Sequence, residues 1–152
     1  MKSKLDRRLR GVYVCLLLLS LLISIKSQAQ WTIQNSGTTA ALTSAYFLNP
    51  DTGFVAGEFV TILKTTNGGT NWQPLPTGFP SAFDAIVFTN ASTGYAFGRG
   101  GLILKTTNAG ANWFSLNFSG GVGLFFSAYF TNDRIGYAVG SGTKPSIIKT
   151  TD

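Results

Sequence analysis

No histidine occurs anywhere in the 152 residues, and the single cysteine, Cys15, lies within the first thirty. An intrachain disulfide is therefore excluded, as are the usual nitrogen and sulfur metal ligands and any imidazole general base. Acidic side chains are scarce as well: six in all, with Glu58 the one glutamate. Paired-carboxylate hydrolysis has almost nothing to work with. After residue 30 no segment repeats its apolar residues at the 3.6-residue helical period, so a helical core is excluded too. What is abundant is Gly (18), Phe (12) and, by inspection, Thr and Asn. Such turn-forming, aromatic and β-branched residues suit short strands joined by tight turns.

The first thirty residues stand apart. A basic head, "MKSKLDRRLR", precedes an uncharged run over 12–25, and small residues follow at Ser27 and Ala29. That layout predicts a helical secretory signal over 1–29, because the apolar run is short of the roughly 20 residues that span a bilayer. Cleavage is expected between Ala29 and Gln30, delivering 30–152 to an extracellular, periplasmic or cell-surface location. Cys15, with ten more residues of the run behind it, reads as a small apolar residue of the signal rather than a lipid-attachment site. Six of the twelve basic residues fall in this leader, and the remainder of the chain holds six basic against five acidic. The overall charge of +6 is thus a targeting signature and points to no nucleic-acid partner.

Residues 31–152 say one thing three times. "DTGFVAG", "STGYAFG" and "RIGYAVG" align on Gly53, Gly94 and Gly136, and Trp31, Trp72 and Trp113 are each 41 residues apart. "TILKT", "LILKT" and "SIIKT" follow at Lys64, Lys105 and Lys149, the last delayed by an insertion near Lys144-Pro145. A period of about forty residues with four short strands is the signature of a propeller blade. The predicted fold is all-β: four-stranded antiparallel blades in an incomplete or open array, with repeats near 31–72, 73–113 and 114–152. First strands are expected at 44–48, 85–88 and 127–130, and Pro74 suits an outer fourth strand, where a missing amide breaks no ladder. "NFSGGVGLFF" (117–126) reads as an inter-blade loop.

The turn before each tryptophan has its own pattern: Thr65-x-Asn67-x-Gly69-x-x-Trp72, then Thr106-x-Asn108-x-Gly110-x-x-Trp113, with Thr150-x-Asp152 opening a third. This resembles the Asp-box of bacterial neuraminidase repeats. Its chemistry suits a structural staple: Asn or Asp bonding the backbone two residues on, Gly at positive φ, Thr bonding across the loop, Trp pinning the turn. More closely, "TGYAFGRGGLILKTTNAGANW" resembles the blades of the photosystem II stability and assembly factor-like propellers, over the whole of 31–152. The resemblance implies a non-enzymatic assembly or scaffolding module that binds protein or a surface ligand, with no cofactor. The family's plastid and cyanobacterial members are implied to use an arginine-rich surface, whereas this chain after residue 30 has only Arg99 and Arg134.

Glu58, Arg99 and Ser141 occupy one repeat position, just after Gly57, Gly98 and Gly140, and vary while their surroundings repeat. Such a position suits a shared channel where ligand contacts lie. Asp51, Asp84 and Asp133 read as turn formers. A sialidase-like site would need three arginines, a Tyr-Glu pair and an acid, and the residues after 30 do not supply them, so no catalytic, cofactor or metal residue is expected. The alternatives are the N-terminal part of a glycoside hydrolase of that kind, or of a secreted adhesin with a C-terminal sorting domain. Trp31 heads a lone fourth strand, "WTIQ", and the chain stops inside its third box, so it is expected to be the leading piece of a longer protein. Failing that, two copies would form a homodimer with a six-bladed ring, each N-terminal strand completing the partner's last blade.

Overall fold

The computed structural model describes residues 30–118 and 120–151. The expected signal peptide lies outside the described residues, as do Ser119 and Asp152. The chain divides into two units, Met1–Ile33 and Gln34–Asp152. Of the first, residues 30–33 are described and have no regular structure, with Trp31 and Ile33 fully exposed.

The second unit is a row of three antiparallel sheets. The first is β1 (Leu42–Phe47), β2 (Gly53–Gly57), β3 (Ile62–Thr65) and β4 (Gln73–Pro74), hydrogen-bonded in chain order. The second is β5 (Phe83–Phe88), β6 (Gly94–Gly98), β7 (Ile103–Thr106) and β8 (Phe114–Leu116), again in chain order. The third, β9 (Val122–Phe130), β10 (Gly136–Gly142) and β11 (Pro145–Thr150), has three strands among the described residues. Each sheet is a meander of the kind a four-stranded propeller blade uses, and the unit is a partial β-propeller.

Register repeats as strictly as sequence. Phe54, Tyr95 and Tyr137 each sit opposite a lysine of the next strand, Lys64, Lys105 and Lys149. The three ammonium groups lie 5.4, 5.3 and 5.7 Å from the ring centroids, within cation–π range. A sheet this small cannot bury both faces alone, so neighbouring sheets stack. Phe54, Ala56 and Ile62 of the first meet Ile86, Phe88, Ala96, Leu104 and Trp113 of the second in one apolar cluster, with Phe54 stacked on Phe88 at 3.8 Å. Val87, Tyr95, Phe97 and Ile103 of the second meet Val122, Phe125 and Ala138 of the third in another. First strands are neighbours: Thr43 Oγ1 donates to the Phe83 carbonyl at 2.6 Å, and Ile86 N–H donates to Ser44 Oγ at 3.2 Å. That is the arrangement of innermost strands around an axis.

One expectation fails. The loop predicted over 117–126 gives way to strand in its second half, since β9 begins at Val122 and pairs with a β10 that runs on to Gly142. Phe125 and Val122 are buried against the second sheet, and two register shifts, at Val139/Gly140 and Ser141/Gly142, absorb the extra length. The glycines hid the strand from sequence reading; burial of those two side chains selects it.

Candidate functional site

Each tryptophan-headed turn is built from its own side chains. Thr65 Oγ1 accepts the N–H groups of Asn67 (3.3 Å) and Gly69 (3.0 Å) and donates to Asn67 Oδ1 (3.0 Å), which also accepts the Asn71 N–H at 2.9 Å. Thr106, Asn108, Gly110 and Asn112 repeat the set at the same four distances. The asparagine thus reaches four residues on, not two, and the two-residue bond belongs to the threonine. Gly69 and Gly110 have φ of 87° and 83°, the left-handed values expected of them. Trp113 is 8% exposed and meets Phe88 edge-on at 6.3 Å, while Trp72 is half-buried against exposed Phe47. Lys64 Nζ donates to the Ala109 carbonyl at 3.4 Å, tying the first sheet to the turn of the second. Thr150 closes β11, and Asp152 lies outside the described residues.

The strand-to-strand turns after β1, β5 and β9 are held by Asn49, Asn90 and Asn132, which sequence reading did not single out. Each Oδ1 accepts two backbone N–H groups, two and three residues on, at 2.8 to 3.0 Å. The nearby carboxylates are not the turn formers.

Asp84 does something else. It lies on β5 with one oxygen 3.7 Å from Arg99 Nε, and its other oxygen is buried without a protein partner. Arg99 also donates from Nη2 to Glu58 Oε1 at 3.1 Å, so residues 41 apart in sequence meet at one end of the first two sheets. Both members of that pair are well exposed, which makes it worth roughly 0–1 kcal/mol in stability. Two of the three predicted channel residues are therefore brought together. The third, Ser141, pairs with Leu124 and Pro145 in the third sheet and does not line the same hollow. That open hollow, about 430 Å³, is bounded by Asp84, Arg99, Leu124, Phe125 and Phe126, with Leu124 and Phe126 39% and 61% exposed.

Beside Glu58 is the feature that sequence reading missed. Thr61 N–H donates to the Glu58 carbonyl at 3.2 Å, closing a hairpin whose two central residues, Phe59 and Val60, have φ of 52° and 64°. The equivalent turn after β6 uses Gly100 and Gly101, at 71° and 78°. A two-residue hairpin with positive φ at both centres wants Asn or Gly there, and a β-branched residue in that region is an outlier. Phe59 is nonetheless 80% exposed, so packing is not what holds it there. The legible signal was alignment of "EFVT" with "RGGL". Among the described residues, no three His, Cys, Asp or Glu side chains gather where a metal ion could sit, and no helix is long and apolar enough to cross a membrane.

Comparison with known proteins decides the family. The model of photosynthesis system II assembly factor YCF48 matches residues 23–122. The chain belongs to the YCF48 family. The photosystem II assembly lipoproteins Ycf48 of Nostoc sp. and Trichormus variabilis are each 44% identical over 46 residues, 30% of this chain and 14% of theirs. Solved YCF48 structures share the fold. One, described as bound to D1 peptide, superposes with a TM-score of 0.69 at 20% identity over 82% of this chain and 42% of its own. A second, from Cyanidioschyzon merolae, gives 0.68 at 20% over 81% and 40%. A GH74 enzyme of Niastella koreensis is more distant, with a TM-score of 0.57 at 19% identity over 66% of this chain and 18% of that one. It shares the blade architecture alone. This YCF48-family chain spans under half the length of the relatives it matches.

Proposed function

We propose that this chain is an exported, non-enzymatic protein-binding module that assists assembly of a larger complex. Its contact surface is the sheet end formed by Phe59, Val60, Glu58, Arg99, Leu124 and Phe126. The observation that carries this reading is the strained, water-facing Phe59–Val60 turn. Backbone strain of about 1–3 kcal/mol per residue persists only where something outweighs it, and such strain clusters at ligand contacts. Folding gains little from a phenylalanine left 80% exposed. A partner's side chain would.

The surroundings suit an extended peptide. Phe59 and Val60 follow Glu58 in the chain, Leu124 and Phe126 share a hollow with Arg99, and the Arg99 guanidinium, paired with Glu58, has donors for backbone carbonyls or a carboxylate. Family membership supports the same reading, and one relative was solved with a D1 peptide. Whether a photosynthetic complex is the target here is a matter for the same experiment. The full chain is applied to an array of overlapping peptides from membrane-protein segments, D1 among them, beside scrambled controls. Peptides that bind are expected to lose at least about tenfold in affinity to a Phe59→Ser or Arg99→Ala chain. No binding above the scrambled controls, or binding indifferent to both substitutions, would end the proposal.

A further inference from the structure

The hollow beside Arg99 takes its walls from the second and third sheets, and a repeated irregularity shapes it. In each first strand the ladder slips by one residue at the same repeat position, which leaves Thr43, Asp84 and Phe126 unpaired across β2, β6 and β10. A bulge of this kind re-aims the extra side chain. The three residues differ while "SAYF", "AIVF" and "SAYF" follow them, and two of the three, Asp84 and Phe126, line the hollow.

Each bulge residue brings its own chemistry. Thr43 Oγ1 donates to the Ala56 and Phe83 carbonyls, at 3.1 and 2.6 Å, so the first sheet satisfies its bulge within the fold. A carboxylate in that place can only accept. The Asp84 side chain is 17% exposed; its Oδ1 lies 3.7 Å from Arg99 Nε, and its buried Oδ2 has no hydrogen-bond partner among the described residues. Arg99 makes its shorter contact, 3.1 Å, with Glu58. Two carboxylates thus share one guanidinium, and one negative charge is left uncompensated. A buried acceptor without a donor is costly, and a ligand that supplies the donor removes that cost.

We propose that this hollow receives a lysine or arginine side chain of the partner peptide, its cationic end on Asp84 Oδ2 and its methylene stem against Leu124 and Phe126. Basic side chains carry both parts, an apolar stem and a charged donor at its tip. Phe126 adds an aromatic ring, with which cations associate. An acidic residue would meet the uncompensated charge of Asp84, and an apolar one would shut water away from Oδ2 without giving it a donor. Asp84 is then the residue that sets which peptides bind. The choice of a basic side chain rests on the peptide-binding reading above, and it can fail while that reading stands.

Peptides that bind the full chain on the array are remade with each lysine or arginine in turn replaced by norleucine, which keeps the stem and removes the charge. One such replacement should weaken binding to the parent chain by at least about tenfold, as loss of one partner of a desolvated charge pair does. In an Asp84→Asn chain the same replacement should change affinity by less than about threefold, because the charge that selected the cation is gone. Asp84→Thr, which installs the residue found at the first sheet's bulge, should lose the discrimination in the same way, with the far-ultraviolet spectrum of both variants unchanged. That ratio of affinities would not move if Asp84 served the fold alone. Bound peptides without lysine or arginine, norleucine peptides that bind the parent equally well, or a basic preference that survives both Asp84 substitutions would overturn the proposal and leave the peptide-binding surface standing. No bound peptide at all would end both.

Discussion

Replacing Phe59 by glycine tests whether strain is held for function. At φ 52° an L-residue costs about 1–2 kcal/mol relative to the right-handed regions. Glycine removes that cost but gives up about 0.5–1 kcal/mol of extra chain entropy on folding. The ring, 80% exposed, has little packing to lose, and the equivalent Gly100 has open space where a Cβ would be. The net expectation is a gain of roughly 0.5–1 kcal/mol, or about 2–5 °C in the midpoint of a domain this size. Phe59→Asn should do nearly as well, because asparagine tolerates the left-handed region without the glycine penalty. Peptide affinity should move the other way. A phenylalanine buried by a partner contributes about 1.5–3 kcal/mol, so its removal weakens binding roughly ten- to a hundredfold. Thermal melts and peptide titrations on the same samples read both quantities. A variant less stable than the parent would refute the strain argument. A more stable variant that binds as before would refute its link to function.

Other outcomes follow from the same geometry. Ala109, at φ 56° where the first copy has Gly68 at 64°, should accept glycine with a gain of about 0.5–1 kcal/mol in denaturant unfolding. Trp113→Ala should cost about 3–5 kcal/mol, and Trp72→Ala distinctly less, because the first ring is buried in a cluster and the second is half-exposed; equal losses would contradict the blade order. Thr106→Val removes the acceptor for the Gly110 N–H in a fully buried setting and should cost about 1–3 kcal/mol. Intact-mass measurement of the secreted product should find a chain beginning at Gln30; a lipid-bearing Cys15 would show the leader to be of another kind.

Much of the fold was legible because the repeat states it three times. Spacing of Trp31, Trp72 and Trp113 set the period, and alternation in "LILKT" and glycine brackets around "GYAFG" set the strands. Those are local properties, and three registered copies multiply them. The candidate site was half legible. Position-specific variation at Glu58 and Arg99 could be seen, yet their ion pair joins residues 41 apart and requires two sheets to stack. Ser141 shared the position but not the contact, because the insertion near Lys144 and the shifted register of β9 redirect its strand.

Sequence alone determined the unit: a short meander with an indole at its head, too thin to bury both faces, and so obliged to stack. Only the tertiary structure decided which neighbours each face meets. Strand periodicity says that Tyr95 and Phe97 share a face; it does not say that this face is buried against Val122, Phe125 and Ala138 of the third sheet. Left-handed backbone at Phe59 and Val60 was likewise beyond sequence reading. Propensity assigns such turns to glycine, and the hairpin closure between Glu58 and Thr61 imposes the geometry regardless of which residues occupy it.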